Sequence, residues 1–313
     1  MPSITQLHYI LAVDRFRNFG KAAKACSVSQ PSLSLQIQKV EEDLGFLIFD
    51  RNKRPILPSH RGLRFLEEAK NVLRAHDRMM EQAKRDGEMI QGSFRLALIP
   101  TLLPILLPYF LETFVLAYPE VTLHIEERTT ESCILALRED HIDAAILATP
   151  LKERGIREYP LFYEEFFLFA SKGHPLLKQD KISAQDVRSD DIWLLQDGHC
   201  LRNQIVSFCA FPKNQTQFHN LHFEGNSLES LRLLIRSIPG YTLFPQLYVE
   251  AFHPEEREKH VRSFKSPIPM REVSLVCTRN QWKKDIMRAL ERSIIDSLPP
   301  CVSRTKKGTV LNI

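Results

Sequence analysis

The sequence predicts an α/β protein with a small helical head, a long connecting helix and a two-lobed body. Three observations predict it. In the first ninety residues apolar positions recur every three or four places, as in amphipathic helices. Beyond Gly92, short β-rich runs alternate with helical stretches, the pattern of parallel β–α–β units. The net charge of +4 is unevenly placed: residues 1–90 hold 15 Lys and Arg against 11 Asp and Glu, and residues 15–64 hold 10 against 4. A basic head on a neutral body implies a polyanion partner at one end.

The 313 residues suffice for two or three domains with real cores. The opening "MPSITQLHYILAVDRFRNFGKAAKACS" has no basic segment followed by a long apolar core, so no signal peptide is expected. The longest uncharged run, 96–111, contains Pro100, Pro104 and Pro108 and is too short for a membrane span. The expected setting is the cytoplasm, with no membrane contact. A reducing compartment argues against permanent disulfides. The cysteines (Cys26, Cys133, Cys200, Cys209, Cys277 and Cys301) show no CxxC pair and no zinc-like spacing. No metal and no cofactor is expected.

The first element is "ITQLHYILAVDRF", with Leu7, Ile10, Leu11 and Phe16 at helical spacing. "NFGKAAKACSVSQPSLSLQIQKVEEDLG" then reads as helix, tight turn, helix. Asn18 is a cap candidate for the first, and Ser29 or Gln30 for the second, where Pro31 fits the first turn. Leu33, Ile37, Val40 and Leu44 make one apolar stripe. The other face carries Ser32, Ser34, Gln36, Gln38 and Lys39, side chains suited to base edges and phosphates in a major groove. "FDRNKRPILPSHRG" reads as two short strands around a basic turn, a wing with Arg51, Lys53 and Arg54 for phosphate or minor-groove contact. The DNA-contact candidates are therefore Gln30, Pro31, Ser32, Ser34, Gln36, Lys39, Arg51, Lys53 and Arg54.

"AAKACSVSQPSLSLQIQKVEEDLGFLIFDR" resembles the winged helix-turn-helix of LysR-type transcriptional regulators. The next stretch, "HRGLRFLEEAKNVLRAHDRMMEQAKRDGE", has no proline, and Leu66, Ala69, Leu73 and Met80 follow coiled-coil spacing. A helix about 40 Å long would span it. It is either a dimerisation helix, as the resemblance implies, or a helix packed on its own chain. A dimer places two reading heads about one DNA turn apart. The expected boundaries are 1–59 for the head, 60–90 for the linker, 91–300 for the body and 301–313 for a disordered tail.

In the body, "FRLALIP", "VTLHIEE" and "DAAILAT" read as strands, with helices over "TLLPILLPYFLETFVLAYP" and "TESCILALREDH". "REYPLFYEEFFLFAS" crosses to a second lobe built from "DIWLLQ", "LHFEG", "SLESLRLLIRSI" and "YTLFPQL". "REVSLVCTR" returns, and "QWKKDIMRALERSIIDSL" closes the first lobe as an amphipathic helix. Two lobes joined by two strands enclose a cleft, a favoured place for ligands. This layout is similar to the LysR-type effector domain, itself like a periplasmic binding protein.

"DGHCLRNQIVSFC" carries the candidate chemistry. Cys200 stands beside His199 and two residues before Arg202, groups that favour a thiolate. Cys209 lies along the apolar face of Leu201, Ile205 and Phe208, which predicts a buried, inert thiol. If the segment is helical, the nine-residue separation is about 13.5 Å of rise, against the 7 Å limit between disulfide-bonded Cα atoms. On residues alone, the two cysteines are either packing residues or a redox pair that must refold to join.

The segment resembles that of peroxide-sensing members of the LysR-type family, as do "LIPTLLP", "SLESLRLLI" and "SPIPMREVSLV". The resemblance implies that Cys200 is the peroxidatic and Cys209 the resolving cysteine. It implies a peroxide pocket of Thr101, Thr130, His199 and Arg271. It further implies a non-enzymatic regulator, a homodimer or homotetramer on double-stranded DNA, that answers hydrogen peroxide. RNA polymerase and a cellular thiol reductant would be its partners. Alternative roles on the residues alone are helix caps for Thr101 and Thr130 and an edge position for Arg271. The sequence departs from the pattern at Asn203, where an acid is common, and at Ile238 and Pro239, where small residues are usual. The competing functions are a metabolite-responsive LysR-type regulator with incidental cysteines and a thiol peroxidase that turns over.

Overall fold

The computed structural model describes residues 1–51, 53–83, 89–187, 191–209, 225, 227–278 and 283–311. The chain forms two compact units, Met1–Glu88 and Met89–Ile313.

The first unit is built on α1 (Ile4–Phe16), α2 (Phe19–Ala25) and α3 (Gln30–Leu44). Each begins on a side-chain cap: Ser3 accepts from the Gln6 N–H, Asn18 from Lys21 and Ser29 from Ser32. Pro31 sits in the first turn of α3, and Gly45 ends it in a left-handed conformation. Ile10, Val13, Ala22, Ala23, Leu33, Ile37 and Val40 close the core between them. The wing is a two-stranded antiparallel pair, β1 (Phe49–Asp50) and β2 (Leu57–Pro58).

Helix α4 (His60–Ala83) follows. It starts so close to the wing that a Cβ on Gly62 would lie 2.0 Å from the Ile48 carbonyl oxygen. Leu66 joins the core of the head, while Ala69 and Leu73 pack with Leu7 of α1. These three residues were expected on a dimer seam; they are instead buried against their own chain, because α4 lies on α1. Met80 remains exposed, as do Leu63, Val72 and Met79.

The second unit has two lobes. In the first, β3 (Gly92–Leu98) pairs parallel with β4 (Val121–Glu127) and β5 (Ala144–Thr149). Helices α5 (Leu103–Ala117) and α6 (Thr130–Arg138) make the crossovers. The long β6 (Ile156–Ala170) leaves this lobe for the second. There α7 (Cys200–Cys209) and α8 (Leu228–Ser237) precede β8 (Tyr241–Pro245), and β7 is Lys181–Ile182. The lobe continues with α9 (Gln246–Glu250), α10 (Pro254–His260) and β9 (Val261–Phe264). The return strand β10 (Pro269–Thr278) runs antiparallel to β5 and β6, and α11 (Lys284–Ser297) closes the first lobe. Strand order is β4-β3-β5-β10-β6-β9-β7, with β8 also on β6.

Two expectations change. "DIWLLQ" gives only an isolated bridge, Ile192 to Tyr241. The tail is ordered to Leu311: β11 (Thr309–Val310) pairs parallel with β10, and Leu311 is buried. Leu311, packed in the core of the second lobe, supplies the apolar contact that a disordered tail lacks. The strand expected over 221–225 lies, except for Gly225, outside the described residues.

Candidate redox site and nucleic-acid interface

Cys200 is the first residue of α7, after a loop in which Gly198 adopts φ +92°. It is buried and belongs to the core of the first lobe, together with Leu98, Leu102 and Cys133. Its helix neighbours Leu201 and Ile205 belong to the core of the second, which Cys209 also packs against. One helix thus has its first thiol in one lobe and its last thiol on the other. Cys209 is half-buried, not fully buried as its position on the apolar face suggested.

Arg271 is the key cation. It is 0 % exposed and stands opposite Glu164 in the β10–β6 register. Arg271 Nε donates to Glu164 Oε1 at 2.7 Å, and Nη1 donates to Thr101 Oγ1 at 3.2 Å. Nη2 is also 2.7 Å from Glu164 Oε1, in charge contact, yet no hydrogen of that nitrogen aligns with an acceptor among the described residues. Glu164 is fully buried, and its Oε2 accepts the Leu247 N–H at 2.9 Å.

Burial pushes the Cys200 thiol up. Four influences oppose this: the Arg271 charge, a hydrogen bond from Thr130, and the backbone N–H groups of Leu201 and Cys200. The last two are the free donors of a helix N-terminus. The Thr130 hydroxyl is buried and has no nitrogen or oxygen partner among the described residues. The cap of α6 is Thr129, which accepts from Ser132, so Thr130 is free of that task. Thr101 likewise caps nothing: α5 starts without a side-chain cap. His199 is buried beside Cys200. Burial also raises Cys209, to about 12.

The structure therefore brings together Cys200, Thr130, Arg271 and Thr101. It does not bring Arg202 to the sulfur. Arg202 Nε pairs with Asp197 at 2.7 Å and Nη1 donates to Leu195 O at 3.0 Å, which braces the loop before α7. The spacing of two residues misled because two helical steps, about 200°, turn the side chain to the opposite face. Glu164 was missed. Its signal was in "PLFYEEFFLFA", where Phe162, Glu164 and Phe166 fall on one strand face, and all three are buried.

In the head, Gln30, Pro31, Ser32 and Lys39 are exposed along α3, and Lys53 and Arg54 are exposed in the wing. Ser34 and Gln36 are half-buried, and Gln36 accepts from Gln6 Nε2 at 3.0 Å. Arg51 is not a free wing cation: it pairs with buried Glu41 at 2.7 Å and lies over the Phe19 ring. The same carboxylate accepts the N–H groups of Ile48 and Phe49, so Arg51 completes a structural clamp. Leu35, unremarked in the sequence, is 52 % exposed on α3.

The LysR substrate binding domain family matches residues 87–299, and the lysR family of bacterial regulatory helix-turn-helix proteins matches residues 4–63. A hydrogen peroxide-inducible genes activator of Haemophilus influenzae is 32 % identical, over 95 % of this chain and 99 % of its own length. The DNA-binding transcriptional dual regulator OxyR of Escherichia coli is 32 % identical over 88 % of each chain. Full-length OxyR from Pseudomonas aeruginosa, in a mutant form, superposes with a TM-score of 0.75 at 28 % identity, covering 95 % of this chain and 99 % of that one. A Corynebacterium glutamicum OxyR mutant with hydrogen peroxide bound gives a TM-score of 0.61 at 28 % identity, over 95 % of this chain and 92 % of that one. With both of its units matched and relatives aligned along nearly its whole length, this chain belongs to the LysR family of DNA-binding transcriptional regulators, among the OxyR proteins.

Proposed function

We propose that the protein senses hydrogen peroxide at Cys200 and answers by forming a disulfide with Cys209, which alters its hold on DNA. The observation that carries this reading is one buried thiol that shares its site with a hydroxyl and a cation: the Arg271 charge and the Thr130 hydrogen bond both act on Cys200 against its burial. Arg271 is held in turn by Glu164 and Thr101. Peroxide is small, has two oxygens and accepts from hydroxyl and guanidinium donors of this kind.

The chemistry follows. The Cys200 sulfur, on losing its proton, attacks one peroxide oxygen, and the O–O bond breaks. The departing hydroxide takes the proton and leaves as water. Cys200 is now a sulfenic acid. The Cys209 sulfur displaces its hydroxyl, giving the disulfide and a second water. Arg271 supports charge on the sulfur and on the departing oxygen, and Thr101 and Glu164 fix its guanidinium. His199 is assigned to the same pocket.

The head reads double-stranded DNA through α3, with Gln30, Pro31, Ser32, Ser34, Gln36 and Lys39, while Lys53 and Arg54 hold phosphate. The protein works in the cytoplasm as a homodimer or homotetramer, with RNA polymerase as its target and a cellular thiol reductant to reset it. The exposed Val72, Met79 and Met80 of α4 are the better candidates for the seam between copies. One oxidation per response suffices, so the role is regulatory and not enzymatic. Thiol mapping by mass spectrometry tests the reading. Stoichiometric peroxide is expected to give a Cys200–Cys209 disulfide in the folded protein. Cys200 left unmodified would refute it, and a Cys200→Ser protein with a normal response in cells would favour metabolite sensing.

A further inference from the structure

The C-terminal segment runs back through the neighbours of the redox site. Ser303 and Tyr163 exchange backbone hydrogen bonds of 2.7 and 2.9 Å, one residue before Glu164. The Thr309 N–H donates to Ile268 O at 2.8 Å, and the Leu311 N–H to Met270 O at 2.9 Å, one residue before Arg271. The path is tight: a Cβ on Gly308 would stand 2.3 Å from Ile268 O. The Leu311 side chain then enters the core of the second lobe. Its carbonyl accepts from Gln204 Nε2 at 3.3 Å. Gln204 is fully buried on α7, between the two cysteines.

We infer that residues 303–311 form a strap that holds α7 in its reduced position, so that the ease of disulfide closure is set by the chain's own C-terminus. The strap joins three parts: β6 beside Glu164, β10 beside Arg271, and the middle of α7. Cys200 and Cys209 stand at opposite ends of a ten-residue helix and cannot bond until it unwinds. Unwinding moves Gln204, and with it the bond to Leu311. The strap therefore opposes the second chemical step, closure on Cys209, because that step moves Gln204. This inference deepens the redox reading and rests on it for its consequence, but the physical coupling of tail to helix does not.

The experiment compares the reduced full-length chain with one lacking residues 308–313 by amide hydrogen exchange. Exchange of α7 amides is expected to rise about tenfold on truncation while β3–β5 amides hold, since the loss is local. Equal exchange in α7 would overturn the strap. Should truncation loosen the whole second lobe, Gln204→Met in the full chain decides: it keeps volume and tail but removes the bond, and a rise confined to α7 is again expected. Peroxide then gives the second readout. In Gln204→Met, disulfide formation is expected to quicken severalfold, with sulfenic acid formation in a Cys209→Ser background unchanged; equal closure rates would overturn the gating. If Cys200 is not oxidised even in the full chain, the redox reading fails, while the exchange result still judges the strap.

Discussion

Replacing Arg271 with methionine separates its structural from its chemical role. Its guanidinium and the Glu164 carboxylate are both 0 % exposed, and Nε and Nη2 each lie 2.7 Å from one carboxylate oxygen. Without the cation, Glu164 keeps only the Leu247 N–H, at 2.9 Å, among the described residues. Breaking a buried pair from one side costs about 3–5 kcal/mol, because the remaining charge is uncompensated. An ordinary domain has about 5–15 kcal/mol in hand, so the variant should fold with a low urea midpoint. The second effect is on the thiol. Arg271 is the largest influence pulling Cys200 down against its burial, so its loss raises the thiol further. Loss of a positioned donor at developing charge costs about 10²–10³-fold in rate.

The Arg271→Met, Glu164→Gln double variant completes the cycle. With both charges gone, most of the lost stability should return, yet oxidation should stay slow. Urea unfolding reads the first quantity. The second is the pseudo-first-order rate of Cys200 oxidation by peroxide, quenched by alkylation and read by mass spectrometry. A double variant that oxidises at the parent rate would refute the chemical role. A loss below about 1 kcal/mol for Arg271→Met would refute the buried-pair argument.

Three further outcomes are expected. Leu35→Ala should cost about 1–2 kcal/mol of operator affinity, the value of an apolar contact such as a thymine methyl, with thermal stability unchanged; fluorescence anisotropy checks it. Lys53→Ala and Arg54→Ala should each lower the slope of log K against log salt by about 1, whereas Arg51→Ala should lose stability through Glu41. Cys133 and Cys209 are raised by burial to about 12 from an ordinary 9.0, so the fold prefers their neutral thiols. That preference is fully present below about pH 9 and is lost as pH rises towards 12; Cys133→Val should flatten the alkaline fall in melting temperature.

The head was legible because each of its elements is local. The caps Asn18 and Ser29 and the stripe Leu33, Ile37 and Val40 are signals within one or two turns, and the structure keeps them. The strand and helix order of the first lobe was legible for the same reason. What failed depended on distant partners. Leu66, Ala69 and Leu73 have coiled-coil spacing, but that spacing suits a partner helix of the same chain equally well, and α1 takes it. Arg51 looked like a wing cation because its acid, Glu41, lies ten residues away on another element. Arg202 was placed near Cys200 by sequence distance, and Glu164 was overlooked because its partner is 107 residues further on. Charge pairing across strands is set by register, which the sequence does not print.

The placement of the two thiols explains why one oxidised atom can move a structure of this size. Cys200 is held by the first lobe's core and Cys209 lies on the second's, at the two ends of a ten-residue helix. In the reduced state α7 satisfies both lobes at once. Oxidation adds an oxygen to the sulfur of a residue that is 4 % exposed, in a site where burial already disfavours charge. That cost falls on the state that keeps Cys200 in the first lobe and lowers the barrier to leaving it. Closing the disulfide needs the Cα atoms within about 7 Å, roughly half the rise between the ends of α7. Some of its backbone hydrogen bonds must therefore break, in a helix that buries Leu201, Gln204 and Ile205. A covalent bond would hold that rearranged state. Spacing that forbids the bond in the resting fold is thus what makes the bond informative: a pair already within reach would oxidise with no change of shape.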